Sequence, residues 1–493
     1  MLILSTIILG VHGLLLAILC GFGLHRLSMV YRWYRYRNVK KNLTPTEKFA
    51  QKPSITVQIP LYNERLVAER VIDAVAALQY PAGALQIQIV DDSTDETKDL
   101  VSERVRYHQQ KGINIHHVRR DDREGYKAGA LKQAMASATG EFIAIFDADF
   151  LPHPSLLEDT IDHFSDPKVG MVQFRWEHLN RKQSALTETQ AMMLDSHFSL
   201  EQNVRHASDL FFNFNGTAGI WRTEAIVDAG HWSADTLTED LDLSYRAQLR
   251  GWKMIYLNEQ SCAGEIPANM NAFKSQQHRW VKGGIQVMLK ILGTVWRSPF
   301  SIRHKIEATF HLSNNLAYLV MLIDTIFLLI PSLFIREYYG YNQRFMWLDI
   351  PIVIMASGGH LIYLIFGQVA LGHSKLKALL NSPRLLLLGI QLAVNNARAA
   401  AEALLGQKSE FVRTPKSGDC NKEIKQKPRK ALRLYNAVAP KGMFFELLFA
   451  IVYTLVLFWA FAHEIWFMLP FLLLLIVGFA NNAIGAVFQQ HAE

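Results

Sequence analysis

Cysteine is almost missing: three stand in 493 residues, Cys20, Cys262 and Cys420, at no paired spacing. That excludes a disulfide framework and a cysteine-ligated zinc site. Charge is scarce too, at 19% of residues, and the formal balance is only +7. Residues 1–24, "MLILSTIILGVHGLLLAILCGFGL", hold no Lys, Arg, Asp or Glu. A spanning helix needs about 20 apolar residues, so this stretch is long enough to cross a bilayer. A cleavable leader opens with a basic region and has a shorter apolar core. Here the basic residues come afterwards, and the pattern predicts an uncleaved anchor.

Four further apolar stretches, 316–335, 347–371, 443–462 and 465–488, bring the expected spans to five. Asp324, Asp349 and His360 interrupt two of them, as residues facing a protein interior do. Basic residues gather at 26–41, 375–398 and 422–433, while the alternate loops hold only Arg336 and Arg344. The positive-inside rule then puts 26–315, 372–442 and the C-terminus in the cytoplasm and the N-terminus outside. The expectation is a multi-pass protein of the cell (inner) membrane, with lipid as a partner and no nucleic acid. Two weaker stretches, 290–312 and 384–405, turn from apolar to polar and are expected to lie in the interface.

Residues 50–290 differ in character. "SITVQIPLYNE" (54–64), "LQIQIVDDSTDET" (85–97) and "EFIAIFDADFLP" (141–152) read as strands, with helical spacing between them. Alternating strands and helices predict an α/β domain with a mostly parallel, doubly wound sheet. Ligands of such sheets bind beyond the carboxyl ends of the strands, where two acidic clusters fall. Asp91, Asp92 and Asp95 form the first, and they serve equally well as helix caps. In the second, Asp147 and Asp149 alternate along a strand and share one face. A hard divalent cation, Mg²⁺ or Mn²⁺, bridging to a diphosphate would neutralise the pair.

Three other stretches carry candidate chemistry. "REGYKAGAL" (123–131) sets Lys127 at a helix start, which suits a phosphate as well as solvent. "LFFNFNGTAGIWR" (210–222) offers Trp221 either to a sugar ring or to the core. "DTLTEDLDLSYRAQLRGWK" (235–253) opens a helix with Thr238, Glu239 and Asp240; these can cap it, or Asp240 can take a proton from a hydroxyl. "FKSQQHRWVKGG" (273–284) puts Gln276, Arg279 and Trp280 just before the membrane segments, where Trp and Lys also favour the headgroup level.

Taken together, "VDDSTDET", "FDADF", "FNGTAGIWR", "TEDLDLSYR" and "QQHRW" resemble the family-two inverting glycosyltransferases of the processive, cellulose-synthase-like kind. The plant mannan-synthase-like branch and its bacterial relatives are the nearest likeness, over roughly 52–420. The resemblance implies a GT-A (Rossmann-like) nucleotide-sugar domain inserted between transmembrane helices of an integral membrane protein. It implies a UDP- or GDP-hexose donor (UDP-glucose or GDP-mannose), a glycan acceptor, Mg²⁺ or Mn²⁺, and outward passage of a growing β-linked chain. By match, Asp91 and Asp92 would hold the nucleoside, and Lys127 and Arg279 the diphosphate. Asp147 and Asp149 would bind metal and diphosphate, and Asp240 would be the catalytic base. Gln276, Trp280, Trp221 and Glu239 would meet the acceptor.

"SEFVRTPKSG" (409–418) is similar to the family's gating loop at Phe411, Thr414 and Lys416, and departs from it at Arg413 and Pro415. The expected layout is a first span over 1–25, a basic linker over 26–51 and the transferase domain over 52–290. An interfacial helix follows at 291–315, two spans at 316–371, the gating region at 372–442 and two spans at 443–493. Ceramide glucosyltransferases share much of the motif set, so single-sugar transfer to a membrane lipid is the alternative. A channel with a dead transferase domain would show broken acidic motifs, and none is broken.

Overall fold

The computed structural model describes residues 2–37, 45, 47–340, 351–352, 354–409, 414, 416, 418 and 443–491. A long apolar helix, Leu2–Tyr36, leads into a seven-stranded sheet. The strands are β1 (Ile55–Leu61), β2 (Leu85–Asp91), β3 (Ile115–Arg119), β4 (Phe142–Ile145), β5 (Val169–His178), β6 (Gly219–Arg222) and β7 (Lys253–Gly264). They lie in the order β3-β2-β1-β4-β6-β5-β7.

Alternation in β1 explains its place. Ile55, Val57, Ile59 and Leu61 enter the main core with Val71, Val75 and Val101 of the flanking helices. Thr56 and Gln58, in the same strand, donate to Gln86 Oε1 and Gln88 Oε1 of β2, at 2.8 and 2.9 Å. These buried pairs match the register Thr56↔Gln86 and Gln58↔Gln88. A slip by one residue would turn the apolar set away from the core and orphan the amides.

Four of the six strand pairings are parallel, as expected, but β6 runs antiparallel to both β4 and β5. The register Ile145↔Gly219 brings the segment before β6 to the carboxyl end of β4. "FNGT" is thereby delivered to the ligand-binding edge.

Beyond the sheet come the helices Met270–Arg297 and Ile302–Ser313. The expected domain boundary at 290 falls inside the first of these, which is continuous. Among the described residues, Leu2–Tyr36, Leu316–Tyr338 and Phe444–Ala462 are long and apolar enough to cross a membrane. Two of the five expected spans correspond to shorter apolar helices, Ile354–Ala370 and Leu469–Asn481. The first helix is tied in by buried polar side chains. His12 Nδ1 lies 2.8 Å from Asp324, His25 Nε2 3.0 Å from Glu307, and Arg26 donates to Glu201 at 2.7 Å.

Candidate active site

A cleft of about 200 Å³ opens at the carboxyl edge of β1 and β4. Asp92, Lys127, Asp147, Asp149, Glu239 and Asp240 all line it, together with Gln276, Arg279, Trp280, Thr414 and Lys416. Residues separated by up to 324 positions therefore share one cavity. Phe411 lies outside the described residues.

The chain turns just after β4, and Asp147 N–H donates to Thr217 Oγ1 at 2.8 Å. Lys127 Nζ then bridges Asp147 Oδ1 (2.5 Å) and the Gly216 carbonyl (2.8 Å). Gly216 has φ +78°, and a Cβ there would stand 3.1 Å from Asp240 Oδ2. A side chain at this position would be strained and would crowd the carboxylate. Burial lowers the Lys127 ammonium, but Asp147 and Glu239 outweigh it and hold the group charged.

Asp149 is 3% exposed and accepts from Lys416 Nζ at 2.6 Å and from Glu265 N–H at 3.2 Å. Burial raises its carboxyl, with Lys416 opposing and Asp147 reinforcing the rise. Each member of the acidic pair thus faces one ammonium, which supplies part of the charge a divalent cation would bring. Two carboxylates leave most of a hard cation's coordination to water and phosphate oxygens, the arrangement Mg²⁺ favours. No group of three or more His, Cys, Asp or Glu that would cage a metal occurs among the described residues.

Glu239 and Asp240 open the helix Glu239–Leu249. Burial raises the Asp240 carboxyl to about 7, and repulsion from Glu239 adds to the rise. Glu239 is itself raised by burial against the pull of Lys127. Leu241 N–H donates to Asp240 Oδ1 at 2.8 Å, which leaves Oδ2 toward Gly216. A carboxyl titrating near neutrality in a cleft suits a general base.

The helix Met270–Arg297 closes the far wall. Asn269 caps it by accepting from Ala272 N–H at 2.8 Å. Gln276, Arg279 and Trp280 recur at spacings of three and four, so they share the face that meets the cleft. Burial lowers the Arg279 guanidinium to about 10, with Glu239 and Asp147 pulling it back. Its Nη2 donates to Thr414 Oγ1 at 2.6 Å.

Two expected residues stand elsewhere. Trp221 is fully buried, edge-on to Phe214 and Trp232 in the second core, and offers no face to a sugar. Its place in β6, between β4 and β5, fixes this. Asp91 is likewise fully buried: Oδ1 accepts from Ser93 N–H and Oδ2 lies 2.9 Å from His117 Nε2. Burial raises that carboxyl, but the bonds from His117 and Ser93 prevail and hold it low. It shapes the turn beneath the cleft, whereas Asp92 reaches the cleft, gripped by Arg120 at 2.7 and 2.6 Å.

Tyr62 and Glu265 also line the cleft and stand outside the sequence expectations, whereas Arg123 belongs to the Lys127 stretch. Arg123 lies 3.3 Å above the Tyr62 ring, a stacked cation on the wall near Asp92. Glu265 accepts from Arg70 at 2.8 Å and from Gly418 N–H at 3.2 Å. It follows β7 as Asp91 ends β2, so the strand-end rule would have found it.

The family model for "Glycosyltransferase like family 2" matches residues 53–283. Glucomannan 4-beta-mannosyltransferase 7 of Arabidopsis thaliana is 42% identical over 254 residues, 50% of this chain and 46% of that protein. Glucomannan 4-beta-mannosyltransferase 1 of Cyamopsis tetragonoloba is 41% identical over 266 residues, 53% of this chain and 50% of that protein. The chain spans about half the length of the curated relatives it matches. Among solved structures, a mannosyltransferase from Pyrobaculum calidifontis in complex with GDP-Man and Mn2+ covers 81% of this chain and all of its own. Identity there is 20% and the TM-score 0.50, a likeness of fold. Residues 53–283 thus match the family-two glycosyltransferase model, are similar in sequence to glucomannan 4-beta-mannosyltransferases, and share the GT-A fold of the P. calidifontis enzyme.

Proposed function

We propose that the chain transfers a hexose from a nucleoside-diphosphate sugar to the end of a growing β-linked glycan, with inversion. The observation that carries this reading is Asp240, a carboxyl raised to about 7, set across Gly216 from the Lys127–Asp147 pair. Asp240 takes the proton of an acceptor hydroxyl as the oxygen attacks the anomeric carbon. The bond from that carbon to the diphosphate breaks on the opposite face, and the nucleoside diphosphate leaves. Lys127 and Arg279 both line the cleft and would meet the leaving group, where fixed positive charge stabilises the developing anion. A divalent cation held by Asp147 and Asp149 would add Lewis-acid stabilisation there. Asp92 and the Arg123–Tyr62 stack suit the nucleoside, and Trp280 offers the acceptor a stacking surface.

GDP-mannose is the donor the relatives favour, since they are named mannosyltransferases and the P. calidifontis enzyme is bound to GDP-Man and Mn2+. UDP-glucose remains the comparison donor. The basic loops favour a multi-pass protein with the transferase domain in the cytoplasm and the N-terminus outside. Thr414 and Lys416 reach Arg279 and Asp149, which supports a loop that closes over bound donor.

The test presents purified protein with labelled nucleotide sugars plus Mg²⁺ or Mn²⁺, then measures product size and linkage. A ladder of β-linked mannose from GDP-mannose is expected. A single sugar on lipid would overturn polymerisation, and no turnover of any donor would overturn the transferase reading.

A further inference from the structure

The helix Met270–Arg297 has a second ordered face. Lys274, His278 and Lys282 recur every four residues, so they stack along one side, and none of the three lines the cleft that Arg279 and Trp280 meet. All three meet carboxylates of the helices that follow the domain. Lys274 Nζ lies 2.9 Å from Glu446, with the two side chains 5% and 4% exposed. Lys282 Nζ, 1% exposed, lies 3.0 Å from Glu402, and His278 Nε2 lies 3.2 Å from the same carboxylate. Glu446 stands in the first turn of the apolar helix Met443–Ala462, and Glu402 in the last turn of Ser382–Leu404. Asn395 of the latter also donates to the Lys274 carbonyl at 2.9 Å.

Burying such pairs is costly, and surface contacts would join helices without them. What ion pairs add is a defined register along the helix axis. That register matters because the same helix presses on the segment that carries the base. A Cβ at Gly283 would stand 2.6 Å from Thr238 Cγ2 and 2.9 Å from Thr238 N. Leu237 N–H donates to Gln286 Oε1 at 2.9 Å, and Lys290 reaches Asp242 at 2.8 Å.

We propose that Lys274, His278 and Lys282, with Glu446 and Glu402, are positioning residues that lock this helix to the membrane-side helices. The lock sets Arg279 and Trp280 at the cleft and, through Gly283, sets Thr238 to Asp240 opposite them. The catalytic consequence rests on the transferase reading above, while the mechanical one does not. A misplacement of about 1 Å can cost a reaction about a hundredfold.

Glu402→Gln keeps the shape and removes the shared charge. Transfer turnover should fall about tenfold or more, with donor affinity within about twofold of wild type. Lys274→Glu should behave alike, and adding Glu446→Lys should restore most of the turnover. Amide hydrogen exchange in full-length protein should quicken in both 270–290 and 236–242 in the single variants. Quickening confined to 270–290, or a double variant no better than Lys274→Glu alone, would overturn the lock. Inactive wild type with exchange coupled across both segments would instead sink the transferase reading and leave the lock standing.

Discussion

Asp240→Asn should make the protein inactive and more stable at once. The Asp240 carboxyl rises from its ordinary 3.8 to about 7 in the folded chain. The folded state therefore binds more protons than the unfolded one between those values, and stability falls as pH climbs through that window. At about 1.4 kcal/mol per pH unit, the wild type loses about 2 kcal/mol between pH 5.5 and pH 7, with little further loss above. Asparagine cannot ionise, so the variant's advantage over wild type should grow by that amount from pH 5.5 to pH 8. For a domain of about 230 residues this corresponds to roughly 4–8 °C in Tm. Transfer should drop by about 10²–10⁴-fold, the usual contribution of a general base, while nucleotide affinity stays near wild type. Wild-type transfer should rise with pH and level off above about 7. Thermal unfolding at both pH values, paired with labelled-sugar transfer, reads all of this. A Tm difference that ignores pH, or transfer within tenfold of wild type, would refute the assignment.

Trp280→Ala should shorten or abolish the product in chain-length analysis, with nucleotide binding unmoved; unchanged length would return Trp280 to an anchoring role. Trp221→Ala should behave as a core truncation, costing about 3–5 kcal/mol in denaturant unfolding, with no selective effect on acceptor use. Gly283→Ala must push Thr238 aside; overpacking of this kind costs about 1–3 kcal/mol, and turnover should fall more than stability does. Removing divalent cations with a chelator should stop transfer, and Mg²⁺ or Mn²⁺ should restore it; chelator-resistant turnover would argue that Lys127 and Lys416 suffice.

The strand-end rule makes the acidic motifs legible without knowledge of their partners, but strand alternation does not place them: β4 stops at Ile145, and Asp147 and Asp149 stand in the turn that follows. Asp147, Asp149 and Asp240 needed only the sheet edge and a helix start. The local sequence leaves Trp221 open to a sugar ring or to the core, because nothing in it announces that β6 inserts antiparallel between β4 and β5. Asp91 and Asp92 are neighbours in sequence, yet the end of β2 turns one inward and the other into the cleft. Ser93 and, in β3, His117 hold the first, and Arg120, the residue after β3, grips the second. The basic face at Lys274, His278 and Lys282 has helical spacing in the sequence, but its carboxylates lie 120 or more residues away. Periodicity shows that a face exists, and long-range pairing alone shows what it meets.

The bond between His12 and Asp324 has a consequence in time. The two residues are separated by 312 positions, and at about 5–20 residues per second of synthesis the second follows the first by roughly 15–60 s. Throughout that interval the first helix carries an imidazole with its native partner unmade. Arg26 waits for Glu201, and His25 for Glu307, in the same way. The opening helix can therefore take its final place only after the catalytic sheet has been completed. Assembly is ordered, with the helix Leu2–Tyr36 locked only after segments made later than itself.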